Sequence, residues 1–231
     1  MSCEDPSCVN LHALETKGPG QLRSSGQKIG RRLWWFPAHS SNYSSSNRGK
    51  HEIDMVVIHS AEGYTGGLTG FQDPSKNASA HYSVQWNGDV GHMVENKDIA
   101  WHAGSNSINR RSIGIEHPGF AYAMKPGSRA EWSKRQQRAS AKLVAKLSRK
   151  YGIPLNSRHI IAHDDVPNQT HTDPGPYWPW NSYLWRVRWY FYRPYLIAGV
   201  AVVALGATAI SLLGVREATR QKGWEQIASG K

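Results

Sequence analysis

Two histidines and one aspartate occupy positions in the sequence where metal ligands of enzymes are often found. His59 ends the apolar, β-branched run 53–58, and His163 follows another short apolar run. Asp173 lies ten residues after His163, beside a proline and a glycine. Two imidazoles and one carboxylate, with one position left open, form the ligand set of a catalytic zinc ion. Spacing alone leaves a structural role open, because histidines often end strands and Asp-Pro-Gly often forms a turn.

The elements that would position these side chains alternate between strands and helices. Residues 53–59 are nearly continuously apolar, which predicts a central strand buried on both faces. Shorter strands are predicted at residues 79–86, 90–94 and 111–116. Apolar residues recur at three- and four-residue spacing over 129–151, which predicts an amphipathic helix that ends at Gly152. The alternation predicts an α/β domain over residues 34–190.

Charge and the N-terminal segment say less about function. With 28 basic and 17 acidic residues the formal net charge is +11, which favours polyanions such as nucleic acid, anionic lipid or bacterial wall polymers. No nucleic-acid-binding motif accompanies the charge, so we expect no nucleic-acid partner.

Residues 1–33 lack apolar periodicity and any stretch typical of a signal peptide, and we expect a disordered basic tail there.

A long apolar run near the C-terminus predicts a membrane segment. Residues 195–215 contain no charged side chain, and as a helix they would measure about 31 Å, the thickness of a bilayer core. Trp and Tyr residues crowd the segment 185–195, as in an interfacial aromatic belt. We therefore expect one transmembrane helix, followed by a polar tail over 216–231. The alternative is a buried core helix, which would be unusually long for a domain of this size.

Five short blocks carry a resemblance to a known family. They are Val-Ile-His-Ser at 57–60, Ser-Ala-His-Tyr at 79–82, Trp-His-Ala-Gly at 101–104, Ser-Ile-Gly-Ile-Glu at 112–116, and the segment 163–176. In this order they resemble the type 2 N-acetylmuramoyl-L-alanine amidases. That family includes bacterial and phage amidases and animal peptidoglycan recognition proteins. The resemblance covers residues 50–185.

The resemblance implies a fold, a cofactor and a reaction. The fold would be a central mixed β-sheet flanked by helices, with zinc in a surface groove. His59, His163 and Asp173 would bind Zn2+, and the enzyme would hydrolyse the amide between N-acetylmuramic acid and L-alanine in peptidoglycan. Zinc can polarise that carbonyl and lower the pKa of a bound water to about 7. Glu116 matches the position of the family's catalytic glutamate, where a carboxylate can take the proton.

One position departs from the family pattern. Many members carry a lysine two residues before the third ligand, where this chain has His171. A protonated imidazole could stabilise the same oxyanion or protonate the leaving amine, so we expect His171 to be catalytic. Unlike the charge of a lysine, the charge of an imidazole changes near neutral pH.

Three further side chains are expected to contact the substrate, namely Tyr82, His102 and Trp178. Two interpretations of Trp178 stay open, because an aromatic ring after the Asp173 turn could stack on a sugar or pack the C-terminal helix against the sheet. His81, in the same block as Tyr82, is expected to pack near the sheet.

Two functions and two settings remain as alternatives. Family members that bind peptidoglycan without cutting it typically lack part of the metal triad. Here the triad and Glu116 are complete, so we predict an enzyme rather than a recognition module. A small basic amidase resembles a phage lysin, and the predicted membrane helix favours a lysin in a virion membrane, where other virion membrane proteins could be partners. The alternative location is the host inner membrane.

Overall fold

A computed structural model describes residues 9–45, 48, 52–128 and 130–197. A mixed sheet of seven strands forms its centre, in the order β1-β2-β6-β5-β8-β4-β9. These strands are β1 Gln27–Gly30, β2 Leu33–Trp35, β4 Met55–Ile58, β5 Tyr82–Val84, β6 Val90–His92, β8 Ser112–Glu116 and β9 Ile160–Ala162. A separate pair consists of β3 Tyr43–Ser44 and β7 Ile99–Ala100. The helices are α1 Leu11–Ser25, α2 Asn106–Arg111 and α3 Lys134–Tyr151, and residues 180–197 are also helical. The predicted α/β architecture with a mixed sheet is confirmed.

Strand β4 occupies the interior of the sheet, as its continuous apolar sequence predicts. All four of its residues are buried. It pairs in parallel with β8 on one side and with β9 on the other. Strands enclosed in this way need apolar side chains on both faces, because neither face meets water. The carboxyl ends of the three parallel strands therefore lie at one edge of the sheet.

Helix α3 packs against the sheet through the apolar face predicted for it. Ser133 caps its first turn by accepting a hydrogen bond from the Arg135 backbone amide at 3.2 Å. Gly152 ends it in the left-handed conformation, with φ of 70°, which costs a glycine little. Between these ends Val144 and Leu147 are buried in the main core. The helical residues 180–191 lie beside α3, where Tyr183 is fully buried.

The prediction of a disordered tail over residues 1–33 is wrong for the described residues 9–33. Asn10 caps α1 through its side chain, and Leu14 and Leu22 on this helix are fully buried. Strands β1 and β2 then extend the sheet, with β2 parallel to β6. The buried residues of this helix are Ala13, Leu14, Gly18, Pro19 and Leu22, and a glycine and a proline among them obscure the apolar periodicity. Their burial comes from contacts with distant parts of the chain, which a local pattern cannot reveal. Residues 1–8 lie outside the described residues.

The predicted membrane helix lies almost wholly outside the described residues, which include only 195–197 of it. The predicted polar tail over 216–231 is also outside them. Within the parts of the chain that are described, no helix is long and apolar enough to cross a bilayer. The chain divides into two compact units, the first ending at Phe191 and the second starting at Tyr192.

Candidate active site

Three predicted site residues lie at, or one residue after, the carboxyl ends of neighbouring parallel strands. Ile58 of β4 is paired with Ile115 of β8 and with Ala162 of β9. His59, the residue after β4, donates a hydrogen bond from its backbone amide to the Ile115 carbonyl at 2.9 Å. His59, Glu116 and His163 therefore come together at one edge of the sheet, as expected where the carboxyl ends of parallel strands meet.

Asp173 joins the two histidines from the loop that follows β9. Its Oδ1 lies 2.9 Å from Nδ1 of His163, and its Oδ2 lies 3.3 Å from Nδ1 of His59. The Ser60 backbone amide also donates to Oδ2 at 3.2 Å. A backbone hydrogen bond of 3.0 Å from Asp164 to the Asp173 carbonyl holds this loop against the strand end. All three side chains are buried, and their candidate ligand atoms lie within 4.8 Å of one another.

These dimensions fit a zinc ion. Ligand atoms about 2.0–2.1 Å from a tetrahedral metal are about 3.3–3.4 Å apart. The 3.3 Å between Nδ1 of His59 and Oδ2 of Asp173 matches that spacing, and the ligand atoms of all three residues lie within 4.8 Å of one another. Burial lowers the pKa of His59, so its ring favours the neutral form that binds metals. Burial would raise the pKa of Asp173, but the close polar contacts of its carboxylate with the rings of His163 and His59 outweigh burial and leave that pKa below the usual range. His59 and Asp173 therefore favour the protonation states that a divalent ion needs.

Glu116 presents a carboxyl group that is unusually basic. The residue is buried, and burial together with repulsion from Asp173 and Glu62 raises its pKa to about 8. Its Oε2 has no hydrogen-bond partner among the described residues. A carboxyl group with a pKa near the working pH can both accept and return a proton. Glu116 lines the same cavity as His59, His163 and Asp173.

His171 lies at the rim of the group. Its ring stacks on the ring of His163, with centroids 4.5 Å apart. Its Nδ1 is 3.8 Å from Oδ1 of Asp173, and 64% of its side chain is exposed. The residue predicted from the departure at the lysine position therefore reaches the site, while the buried ligands lie beneath it.

His102 lines the cavity but lies behind His59. Its Nδ1 is 3.1 Å from Nε2 of His59, and its Nε2 is 3.1 Å from Oγ of Ser112. Burial, together with electrostatic effects of the neighbouring His59 and other basic side chains, holds its pKa well below the usual value. The prediction that His102 lines the groove is confirmed. Both of its ring nitrogens are engaged within the protein, and its contact with substrate stays a prediction.

Tyr82 and Trp178 are not available to substrate. Tyr82 is 6% exposed and stacks on the His92 ring at 4.6 Å. Trp178 is 2% exposed and packs edge-on against Trp132 and Tyr183. The prediction that these two residues contact substrate is wrong, because each is enclosed by core side chains. Of the two interpretations of Trp178, the packing one is correct.

The cavity around the strand ends has a volume of about 600 Å³. Several residues that line this cavity were not among the predicted site residues, namely Glu62, Phe71, Lys76 and Trp101. Trp101 opens the Trp-His-Ala-Gly block, so its place in that block was the available signal. A larger hollow of about 790 Å³ lies between α1 and the start of α3, and none of the predicted site residues lines it. The converging ligands and Glu116 therefore identify the smaller cavity as the candidate active site.

Fold and site together define a mixed-sheet α/β protein with a buried His-His-Asp group that could hold a metal ion. The family model described as N-acetylmuramoyl-L-alanine amidase matches residues 49–176. The chain belongs to this family, whose members are hydrolytic enzymes that act on peptidoglycan.

Two relatives resemble the chain in sequence. N-acetylmuramoyl-L-alanine amidase A of Achromobacter lyticus is 33% identical over 169 residues, which cover 64% of this chain and 89% of that protein. The amidase AmiD of Escherichia coli is 30% identical over 146 residues, 56% of this chain and 51% of AmiD. The chain thus spans about half the length of AmiD.

Two solved structures share the fold. The Staphylococcus aureus hydrolase AmiA in complex with its ligand has a TM-score of 0.56 at 15% identity, covering 80% of this chain and 92% of that one. A selenomethionine derivative of AmpD has a TM-score of 0.50 at 21% identity, covering 70% and 95%. At these identities the likeness concerns the fold alone.

Proposed function

We propose that this chain is a zinc-dependent N-acetylmuramoyl-L-alanine amidase in which His59, His163 and Asp173 hold Zn2+. The bond cleaved is the amide between the lactyl group of N-acetylmuramic acid and L-alanine of the stem peptide. The observation that carries the proposal is the meeting of three buried ligand side chains with Glu116 at one edge of the sheet. A recognition module that only bound peptidoglycan would not need a carboxyl group with a raised pKa and a free oxygen beside the metal ligands.

Glu116 is the group that moves protons in the proposed reaction. His59, His163 and Asp173 would hold the zinc ion, which would supply Lewis acidity to the amide carbonyl and to water. Glu116 accepts a proton at Oε2 as a water oxygen forms its bond to the carbonyl carbon. The same oxygen then returns the proton to the nitrogen of L-alanine as the carbon–nitrogen bond breaks. The products are a free lactyl carboxylate and a free peptide amine.

In the proposed reaction His171 stabilises negative charge on the carbonyl oxygen. It lies beside the ligands yet is exposed toward the cavity. A protonated imidazole there donates a hydrogen bond to the oxygen as charge develops on it. In this role His171 replaces the lysine that many family members carry.

Digestion of purified peptidoglycan by the full chain tests the enzymatic proposal. We expect free L-alanine amines to appear, to stop appearing after treatment with a chelator, and to return when zinc is added. The variant His163→Ala, which removes one ligand, should lose both zinc binding and hydrolysis. Hydrolysis that survives replacement of all three ligands would overturn the zinc mechanism while leaving the family assignment intact.

The proposed setting is a membrane, through a single helix over residues 195–215. The uncharged sequence of that segment supports this, as does the exposure of Trp185, Trp189 and Tyr192, of 63%, 46% and 53%, on the helix that leads into it. We favour a phage lysin in a virion membrane, with the host inner membrane as the alternative. We expect the full chain to float with lipid vesicles and a chain ending at residue 191 to remain behind. Absence of the protein from purified virions would reject the virion setting.

A further inference from the structure

A chain of hydrogen bonds leads from a main-chain carbonyl to the ligand His59. Oγ of Ser112 donates to the Ile108 carbonyl at 2.6 Å. The same Oγ lies 3.1 Å from Nε2 of His102, and Nδ1 of His102 lies 3.1 Å from Nε2 of His59. Ser112 is fully buried, and the two histidines are almost fully buried. The hydrogen-bonding atoms of Ser112, His102 and His59 therefore find their partners within the protein.

The carbonyl at one end sets the direction of every bond. A carbonyl oxygen can only accept, so Ser112 uses its single hydroxyl hydrogen on Ile108. Ser112 must then accept from Nε2–H of His102, which leaves Nδ1 of the neutral His102 ring as an acceptor. The donor to that nitrogen is Nε2–H of His59. A neutral His59 ring in this tautomer has its lone pair on Nδ1.

The position of that lone pair matters because Nδ1 of His59 faces Oδ2 of Asp173 at 3.3 Å. In the other tautomer Nδ1–H would donate to the carboxylate, and the hydrogen bond would compete with metal binding. With the proton on Nε2, a lone pair faces a carboxylate oxygen across a distance that suits two ligands of one cation. The hydrogen-bond chain therefore favours the metal-binding arrangement.

We propose that His102 is a positioning residue, which holds His59 in the Nε2–H tautomer and so presents Nδ1 to the metal. The inference rests on the proposed zinc site and deepens it. Groups that bond the second nitrogen of a ligand histidine fix its tautomer and orientation, and their loss typically weakens metal binding by about 10–100-fold. Here the partner is another imidazole, whose own tautomer is fixed by Ser112.

Gly114 allows the His102 ring to reach this position. A Cβ atom at residue 114 would overlap Cγ of His102 and lie 2.8 Å from its Nδ1. Any larger residue at 114 would have to displace the His102 ring from its present position. The glycine of Ser-Ile-Gly-Ile-Glu and the histidine of Trp-His-Ala-Gly thus form one packing unit behind the ligand.

Nitrogen-15 NMR of the imidazole groups in the zinc-loaded full chain tests the assignment directly. We expect a proton on Nε2 and none on Nδ1 of His102, and a proton on Nε2 of His59. A proton on Nδ1 of His102 would overturn the proposal whatever the variants do. If the wild type bound no zinc, the zinc site itself would be rejected, and the His102 tautomer could still be read from the same spectra.

Zinc affinity, measured by competition with a chromophoric chelator, gives the second test. His102→Leu should bind zinc about 10–100-fold more weakly than the wild type. His102→Asn can offer an amide oxygen to His59 and should lose clearly less. The control His92→Leu replaces a half-buried histidine outside the site and should leave affinity unchanged. Equal losses in both His102 variants, or a folded His102→Leu protein with wild-type affinity, would contradict the proposal. If His102→Leu does not fold, the tautomer spectra decide.

Discussion

The ring of His171 stacks on the ring of the ligand residue His163, with centroids 4.5 Å apart and planes 20° from parallel. The stacking places an exposed, protonatable group directly beside a buried ligand. His171, which stands where many family members have a lysine, therefore lies where a positive charge could act on the substrate carbonyl.

Replacing His171 by lysine should change how the proposed hydrolysis depends on pH. An imidazole loses its positive charge in the neutral range, whereas a lysine amine keeps it. We expect His171→Lys to retain more of its kcat at pH 9, relative to pH 7, than the wild type does. His171→Ala should lower kcat on the order of 10²-fold at pH 7 and by a smaller factor at pH 9. Identical pH profiles for the wild type and the lysine variant would argue against an oxyanion role.

Glu116→Gln should separate proton transfer from metal binding. The amide keeps the shape of the side chain but cannot accept a proton, so kcat should fall by about 10²–10⁴-fold. Zinc affinity should stay close to that of the wild type, because Glu116 is not one of the three ligands. Chelator competition and release of free amine, measured on the same protein, check both statements. A variant that kept most of its activity would remove Glu116 from the mechanism.

The metal-free protein should lose stability as pH rises, through Glu116. Its pKa of about 8 in the folded state exceeds the ordinary value of 4.5, so the folded protein holds a proton that the unfolded chain has released. This contribution is complete below about pH 4.5 and is lost as pH rises through about 8.

Comparison with the glutamine variant isolates this effect. Glu116→Gln should match the wild type near pH 5 and be clearly more stable near pH 8, because the amide never carries a charge. The buried histidines change stability with pH in both proteins and largely cancel in the difference. Urea unfolding of the two proteins in chelator, at both pH values, gives the measurement. A stability difference that does not vary with pH would show that Glu116 is not held protonated.

Helix α1 should contribute to stability as part of the domain. Leu22→Ala removes a fully buried side chain and should lower the free energy of unfolding by about 2–5 kcal/mol. Glu15→Ala, at an exposed position of the same helix, is the matched control and should change it by less than about 0.5 kcal/mol. Urea unfolding of both variants checks this. Equal effects would mean that α1 does not pack on the domain in solution.

Two tryptophans should respond in opposite ways. Trp178→Ala removes a core side chain and should lower the free energy of unfolding by about 3–5 kcal/mol. Trp101 lines the cavity, so Trp101→Ala should instead raise KM for muropeptide. Kinetics and urea unfolding on both variants distinguish the two roles. A raised KM with unchanged stability in Trp178→Ala would restore the sugar-stacking interpretation.

The sequence by itself determined the elements around the site and the identity of its central groups. A continuous apolar run can only be an enclosed strand or a buried helix, and its length and β-branching favoured the strand of His59. His163 could be placed after a strand for the same reason. Asp173, Glu116 and His171 then followed from the order and spacing of five family blocks. Each of these patterns lies within a short segment, so it can be recognised without knowing how the segments pack.

Tertiary structure decided which polar and aromatic groups face the cavity and which face the core. Tyr82 and Trp178 belong to the blocks or lie beside them, yet each is enclosed by core side chains. His102 lines the cavity, but both of its ring nitrogens contact protein groups. Helix α1 is likewise held by a few side chains whose partners lie elsewhere in the chain. Burial depends on what the rest of the fold brings against a residue, and no pattern within a short segment contains that information.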